Sequence, residues 1–206
     1  MNRFLSRTVN FIEYCVVSLL GKLVGISIVI RYLRNPNPWI TQKLLTAFGA
    51  TVGTDVTIKR TLFLDNVYGD ANSTGDLSHL KIGNNCYIGD CVFFDLANEI
   101  RIADDAVLAG RVSLLTHAEC NRSSFLSQCF PRMCAPIVIE SGAWVGFGAT
   151  VLAGVTIGAN SVVGAGALLM QDTDPYWVYV GSPARKVKRA DERLRSTSDV
   201  FGQFNR

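Results

Sequence analysis

The sequence predicts an all-β core wound into a parallel β-helix, and three observations lead to this fold class. Branched aliphatic residues recur every six positions, and they are Ile139, Val145, Val151, Ile157, Val163 and Leu169. A small or short residue follows four positions after each of the first five, as at Ala143 and Ala149. A period of six fits neither an amphipathic helix nor a simple strand. It fits a chain that forms a short strand, turns a corner and repeats, with the aliphatic residue at the centre of each coil.

The same spacing occurs earlier in the chain. It runs from Ile82 to Phe94 and from Ile102 to Leu114, with a weaker series from Val52 to Leu64. A sandwich of short strands is the alternative. A six-residue period that is kept over this many repeats is not expected by chance, and this argues against the sandwich. Glycine after the aliphatic residue, as at Gly146, is expected at a corner whose backbone angles a Cβ would hinder.

The chain of 206 residues is long enough for one domain with a sizeable core, or for one domain plus an appendage. We expect a helical, apolar segment over residues 1–50, the β-helix over 51–189 and a tail with a short helix over 190–206. The net charge of +3 is too small to indicate a nucleic-acid partner. Basic residues concentrate at 185–195, interleaved with acids, which indicates either a solvated helical tail or a local anion site.

The six cysteines form no CxxC pair. Cys86 occupies a small, inward-facing repeat position and is expected in the core. Cys120, Cys129 and Cys134 could form a metal site, but their irregular spacing favours free thiols in a reducing compartment. We therefore expect no metal and a cytoplasmic location.

Residues 14–30 are apolar apart from Lys22, and arginines precede and follow them. Each Leu, Ile or Val favours insertion by about 0.3 to 0.6 kcal/mol and a central Lys opposes it by about 2.5 to 3.5 kcal/mol, so the sum is near zero. Three interpretations stay open: a helix or helix pair on the membrane surface, a span, and a helix packed on the protein itself. The prolines of residues 35–38 break this segment, and residues 39–48 have helical spacing that ends at Gly49.

Two excursions interrupt the repeat. Residues 65–80 are rich in Asp, Asn, Gly and Ser, which predicts a loop. His79 lies at the end of this loop, and a surface position is favoured for it over a contact with the acceptor. Some twenty residues also separate Leu114 from Ile139, and a long loop in so regular a fold is usually functional. His117 stands where this second loop, at about 117–136, begins. Its imidazole is suited to take a proton from a hydroxyl near neutral pH, although a capping histidine is an equal alternative.

After Leu169 the chain predicts one more strand at 177–180 and a sharp turn, followed by four cations. They are Arg185, Lys186, Lys188 and Arg189. Cations just after a β-helix corner could hold a phosphorylated ligand, and a solvated cationic tail is the alternative.

Taken together, LLTHAE, GAWVGFGATVLAGVTIGANSVVGAGAL and VGSPARKVK resemble the hexapeptide-repeat acyltransferases. The sequence is most similar to sugar O-acetyltransferases of the maltose, galactoside and nodulation-factor type and to relatives in surface-polysaccharide synthesis. The resemblance covers about residues 80–189. It implies a left-handed β-helix, a homotrimer with active sites between neighbouring coils, and direct transfer of acetyl from acetyl-CoA to a saccharide hydroxyl.

The resemblance also implies the site residues, position by position. The family's catalytic histidine falls on His117, which would act as general base. Its tryptophan beside the pantetheine falls on Trp144. The positions that line the CoA arm and its phosphates are Phe147, Ala165, Met170, Gln171, Arg185 and Lys188.

This chain departs from the family pattern at several positions. Members often have Ser or Gly at Phe147 and Thr-Lys at Met170 and Gln171, so one phosphate contact is lost. The acceptor-binding Asn of the sugar enzymes falls near Cys91, which cannot play the same part. Asp95 is the expected substitute, so the acceptor is expected to differ from simple galactosides or maltose.

The apolar N-terminus is a further departure. Our hypothesis is that residues 1–34 bring the enzyme to the inner membrane face, where lipid-linked saccharides are built. The alternative function is a non-catalytic trimeric scaffold or binding module on the same coil. A β-helical zinc hydrase would need three histidines, and this chain has two.

Overall fold

The fold is described by a computed structural model over residues 3–191. Three helices come first, and short parallel strands wind into coils after them. The helices are α1 (Arg3–Val24), α2 (Ser27–Tyr32) and α3 (Pro38–Ala47), and a short α4 (Leu126–Cys129) lies in the second excursion.

Each coil contributes one strand to each of three faces. Face A contains β1 (Thr51–Val52), β4 (Leu80–Ile82), β7 (Ile100–Ile102), β12 (Ile137–Ile139) and β15 (Thr156–Ile157). Face B contains β2 (Thr57–Ile58), β5 (Tyr87–Ile88), β8 (Val107–Leu108), β13 (Trp144–Val145), β16 (Val162–Val163) and β18 (Trp177–Val180), with β19 (Arg185–Arg189) antiparallel at its edge. Face C contains β3 (Leu62–Asp65), β6 (Val92–Asp95), β9 (Ser113–Leu114), β14 (Thr150–Val151) and β17 (Leu168–Leu169). The core is a left-handed parallel β-helix with a helical N-terminal segment, which confirms the predicted fold class.

The six-residue repeat forms the centre of the coils. All six aliphatic residues from Ile139 to Leu169 are fully buried. Ala143 and Ala149 are buried beside them, and Cys86 occupies the equivalent small position two coils earlier. The predicted core is therefore confirmed.

The glycines serve a different purpose from the one predicted. Gly146 has no positive φ, but a Cβ there would lie 2.6 Å from the backbone nitrogen of Ala165 on the next coil. The left-handed angles occur two residues later, where Gly148 has a φ of +67°. Glycine after the aliphatic residue thus allows close stacking of coils, and the following glycine makes the turn.

Both excursions leave the β-helix at the corner where face C meets face A, here called the C–A corner. Residues 66–79 connect β3 to β4, and residues 115–136 connect β9 to β12. The second excursion begins and ends in a small antiparallel pair, β10 (His117–Ala118) and β11 (Met133–Cys134). We call residues 117–136 the flap. Because the excursions share a corner, they lie next to each other.

The N-terminal helices pack against one another and the first coil. Val17 and Gly21 of α1 are buried, and a Cβ on Gly21 would lie 2.6 Å from Phe48 Cζ and from Val29 Cγ2. No helix within residues 3–191 is both long and apolar enough to cross a membrane. The sequence left open a helix on the membrane surface, a span and a helix packed on the protein. In the structure, one side of α1 packs on the protein.

The C-terminal region differs in part from the prediction. Residues 177–180 form the expected strand, but residues 185–189 form β19 instead of a helical tail. The cause is a turn at residues 181–184, which allows β19 to pair with β18. The tail helix predicted within 190–206 falls almost entirely outside the described residues.

Neighbouring leucines on β17 test the inward direction of the repeat. Leu169 is fully buried, whereas the side chain of Leu168 is half-buried on the outside of the coil. Leu169→Ala should lower the free energy of unfolding by about 2 to 5 kcal/mol, because it leaves a cavity. Leu168→Ala should cost less than about 1 kcal/mol. Urea denaturation of both variants measures the difference, and equal losses would contradict the assigned register.

Candidate active site

Three side chains from successive coils meet at the C–A corner. Asn66 follows β3, Asp95 ends β6, and His117 begins the flap after β9. These strands are parallel neighbours in face C, and Asp65 pairs with Asp95 in register. Stacking therefore brings Asp95 into contact with residues that are 29 and 22 positions away in sequence.

The Asp95 carboxylate is the hydrogen-bonded centre of this group. It is 1% exposed. Its Oδ1 accepts from Asn66 Nδ2 at 2.8 Å and from the Ala97 backbone N–H at 3.2 Å. Its Oδ2 accepts from the backbone N–H groups of Thr116 (2.9 Å) and His117 (3.0 Å) and from His117 Nδ1 at 2.6 Å. Side chain and backbone of His117 are thus held by one carboxylate.

These bonds determine the charge of Asp95. Burial alone raises the pKa of the Asp95 carboxyl, but hydrogen bonds from Asn66 and His117 favour the ionised form and hold this pKa below its usual value. Asp95 is therefore a carboxylate at neutral pH. Its burial does not fit the substrate contact predicted from the sequence, because no oxygen is presented to an acceptor.

The charge of Asp95 in turn selects the tautomer of His117. A carboxylate only accepts hydrogen bonds, so Nδ1 of His117 carries the proton. In the neutral ring Nε2 then has the lone pair. The side chain is 23% exposed, so His117 is accessible at the edge of the coil.

Arg132 fastens the flap to the other excursion. Its Nη2 lies 2.7 Å from Asp70 Oδ1 and 3.1 Å from Asn72 Oδ1, and its Nη1 lies 2.7 Å from Glu119 Oε2. The hydrogen bond from Arg132 lowers the pKa of the Asp70 carboxyl, and this effect outweighs burial. The flap is held beside His117 by a charge-assisted pair of low exposure.

Asp70, Glu119 and a ring nitrogen of His117 have possible ligand atoms within 4.8 Å of one another. Both carboxylates are already bonded to the Arg132 guanidinium. A cation at this position would face that positive charge, and the Nδ1 of His117 is engaged by Asp95. The two carboxylates are therefore explained as an anchor for the flap.

An apolar cavity of about 470 Å³ lies within the flap. Ala118 and Glu119, the two residues after His117, form part of its wall. The rest of the wall is mainly apolar and comprises Cys120, Leu126, Cys129, Phe130, Pro131 and Met133. The site thus combines a polar corner with an apolar neighbour.

Several residues predicted to bind CoA lie away from this corner. Trp144 projects from face B and is exposed. Phe147 and Ala165 are exposed on adjacent coils where face B meets face C, and the Gly166 N–H donates to the Phe147 carbonyl at 2.8 Å. The Arg111 guanidinium lies 5.6 Å from the centre of the Phe147 ring. These side chains form an exposed wall.

Met170 and Gln171 follow β17, so they share the C–A corner with His117, two coils further along. Strand spacing puts this separation at about 9 to 10 Å. Arg185 and Lys188 lie exposed on β19. A single chain therefore divides the predicted CoA residues between two corners, the centre of face B at Trp144 and the edge strand β19.

The neighbouring cations of β19 are already paired. Lys186 Nζ lies 2.6 Å from Asp174 Oδ2, and Arg189 pairs with Asp191. Within residues 3–191, no ion pair with an acid involves Arg185 or Lys188.

Two other sequence candidates are separated from His117. Cys91 has a φ of 59° and lies before β6, at the corner between faces B and C, whereas Asp95 lies at the opposite end of that strand. Within one chain, the family's acceptor-binding position at Cys91 is therefore separated from His117. His79 is half-buried, and its Nδ1 lies 2.9 Å from the Leu96 carbonyl oxygen, which agrees with a structural role.

All six cysteines, each within the described range, are unpaired.

The repeat region matches a known family. Residues 136–170 match the family model described as bacterial transferase hexapeptide (six repeats). This stretch of the chain therefore carries hexapeptide repeats.

Solved structures and a curated relative extend this similarity. A maltose O-acetyltransferase from Clostridium difficile has a TM-score of 0.66 and 25% identity, over 79% of this chain and 83% of that chain. A galactoside acetyltransferase in complex with coenzyme A has a TM-score of 0.68 and 24% identity, over 88% and 84%. The 2,3,4,5-tetrahydropyridine-2,6-dicarboxylate N-acetyltransferase of Brevibacillus brevis is 37% identical over 70 residues, 34% of this chain and 30% of the relative. This chain therefore spans about a third of that relative's length.

The pKa of Asp95 generates a pH prediction. Because this pKa is lower in the folded than in the unfolded chain, Asp95 stabilises the fold above the unfolded value of about 3.9. That contribution is lost as pH falls through the folded pKa. Asp95→Asn should reduce the free energy of unfolding by at least about 1 kcal/mol at pH 7, and the difference from wild type should shrink towards pH 3.

Asp65→Asn is the matched control, because Asp65 is the exposed partner of Asp95 on β3. Denaturant titrations of the three proteins between pH 7 and pH 3 measure the effect. A pH-independent cost of Asp95→Asn would contradict the ionised, hydrogen-bonded carboxylate.

Proposed function

We propose that this chain is an acetyltransferase that moves an acetyl group from acetyl-CoA to a hydroxyl of a saccharide. The observation that carries the proposal is the 2.6 Å contact between His117 Nδ1 and the buried Asp95 carboxylate. It makes Nε2 the basic nitrogen of an accessible imidazole, which is what proton removal from an acceptor requires.

In the proposed reaction, Nε2 of His117 takes the proton of the acceptor hydroxyl as its oxygen attacks the thioester carbonyl. A carbon–oxygen bond forms, the carbon–sulfur bond breaks, and CoA leaves as a thiolate that takes up the proton. Asp95 stabilises the transient imidazolium without accepting the proton, so it is a positioning residue. No acyl-enzyme is formed, and the cysteines have no chemical role.

Acetyl-CoA is proposed as the donor because of the exposed wall and the similarity to a structure that holds coenzyme A. Trp144 and Phe147 offer apolar surface to the pantetheine, and Ala165 leaves room for it. Arg185 and Lys188 are exposed cations suited to phosphates. Met170 and Gln171 offer no charge, so the β19 cations carry more of that contact.

The saccharide acceptor is proposed from the polar side chains around His117. Besides their contact with each other, Glu119 and Arg132 are partly exposed and offer hydrogen-bonding groups that match hydroxyls, and the maltose enzyme supports a sugar. We propose a homotrimer, because a second copy would bring the exposed wall of one chain against the C–A corner of another. Surface-polysaccharide or lipid-linked glycan synthesis in the cytoplasm is the proposed setting.

Release of free CoA thiol from acetyl-CoA tests the proposal, with sugars, lipid-linked saccharide extracts and amines as acceptors. His117→Ala should lower acceptor-dependent release by about 10²-fold or more. His79→Ala is the matched control, because the His79 side chain contacts a backbone carbonyl. This variant should retain the wild-type rate of CoA release. Asp95→Asn should lower kcat with little change in the KM for acetyl-CoA.

The outcomes separate the competing functions. Release that survives His117→Ala would move the chemistry elsewhere. Transfer to amines alone would show that the acceptor is an amine and not a hydroxyl. The Brevibacillus relative is named as an N-acetyltransferase, which makes amines a necessary arm of the test. No release with any acceptor, together with no binding of CoA, would favour the scaffold.

A further inference from the structure

Helix α1 exposes an almost continuous apolar side. Leu23 is 74% exposed, Val24 is 67% exposed and Leu19 is 58% exposed. The large apolar side chains of α1 that are exposed are Val9, Phe11, Ile12, Val16, Leu19, Leu20, Leu23 and Val24. Exposed apolar residues occur singly on most surfaces, whereas a continuous patch marks an interaction site. We call these eight residues the α1 apolar face.

Two polar side chains of α1, Asn10 and Glu13, face the protein instead of water. Glu13 accepts from Tyr32 Oη at 2.6 Å and from Asn37 Nδ2 at 2.7 Å. Asn10 Oδ1 accepts from the same Asn37 amide at 2.9 Å. At these two positions the usual arrangement of an amphipathic helix on a protein, with polar residues outward, is reversed.

Packing fixes this reversed orientation. Gly21 faces the body of the protein so closely that a Cβ would lie 2.6 Å from Phe48 and Val29 side-chain atoms. Rotating α1 to bury Leu23 would remove that contact and the bonds of Asn10 and Glu13. The α1 apolar face is therefore directed outward by the fold.

The charge around the face has one sign. Residues 1–50 contain six basic residues and one acid, and the acid is Glu13, whose carboxylate is directed inward. The described cations of this segment are all exposed, and they are Arg7, Lys22, Arg31, Arg34 and Lys43. The rest of the chain carries more acids than bases. The excess of positive charge is thus concentrated in the N-terminal segment that bears the apolar face.

One groove combines exposed apolar side chains with positive charge. Arg7, Lys43 and Trp39 form part of its wall, with Phe11 beside them, and none of the residues that form it is acidic. Trp39 is 78% exposed although it is the largest side chain of α3. Tryptophan favours the boundary between lipid headgroups and acyl chains, and cations favour the phosphates there.

We propose that the α1 apolar face and Trp39 dock on the surface of an anionic lipid bilayer, with the surrounding cations on the headgroups. The helix lies in the plane of the membrane, because it is not apolar enough to cross it. Charge complementarity favours a lipid surface over a second copy, since a second copy would bring the same cations together.

Sedimentation of the full-length protein with vesicles tests the proposal. It should bind vesicles of phosphatidylcholine and phosphatidylglycerol, bind phosphatidylcholine alone at least about tenfold more weakly, and lose affinity with salt. Leu19→Gln with Leu23→Gln should weaken binding by about tenfold or more. Lys22→Gln should weaken it about fivefold, which corresponds to about 1 kcal/mol per cation.

Two matched controls are available on the β-helix. Val187→Gln changes an exposed apolar residue, and Lys59→Gln changes an exposed lysine, so neither should alter vesicle binding. Thermal melts show whether each variant is folded. Failure of the wild type to bind anionic vesicles, or equal binding by folded Leu19→Gln/Leu23→Gln protein, would overturn the proposal. Light scattering measures the particle mass of the Leu19→Gln/Leu23→Gln variant without vesicles. If this mass is lower than that of the wild type while vesicle binding is unchanged, the face is a contact between copies, and this result would also overturn the proposal.

Discussion

Stacking of coils at the strand spacing of about 4.8 Å is the constraint on which the rest of the structure depends. It requires an aliphatic residue at the centre of each side and a glycine such as Gly146 where backbones approach closely. It also places equivalent positions of successive coils one above another. Asn66, Asp95 and His117 contact each other for this reason, although they are far apart in sequence.

The same constraint makes a buried carboxylate tolerable. An unpaired charge in the core would be strongly destabilising, but Asp95 accepts hydrogen bonds from three backbone N–H groups and two side chains. Thr116 and His117 supply three of these bonds because the chain leaves the coil there for the flap, and Asn66 supplies another where the first excursion begins. Opening the coil therefore supplies the bonds that keep Asp95 ionised and His117 oriented.

The sequence predicted those features that the repeat encodes. The coil, its inward residues and the two excursions followed from spacing, and His117 followed from its place at a loop edge. The contact of Asp95 with His117 could not be predicted, because it depends on the exact stacking of two coils. Arg132 gave no signal either, since its partner Asp70 belongs to another loop.

Strand β19 and the direction of the α1 apolar face could also not be predicted from the sequence, because both depend on tertiary contacts. Strand β19 formed where a helix was expected, because an antiparallel partner was available at the edge of face B. The outward direction of the α1 apolar face could not be seen in its composition. It depends on Gly21 and on the hydrogen bonds of Glu13, which require the folded neighbours. Local pattern thus identified elements, and tertiary contact determined which side of each element is used.

The central claim is that Asp95 holds His117 with its proton on Nδ1 and leaves Nε2 basic. The chain has two histidines, so ¹⁵N-labelled protein carrying His79→Gln presents one imidazole to nuclear magnetic resonance. At neutral to mildly alkaline pH, the neutral ring should show a protonated Nδ1 and an unprotonated Nε2, and Asp95→Asn should shift this balance. A proton on Nε2 in the otherwise unmodified site would contradict the account.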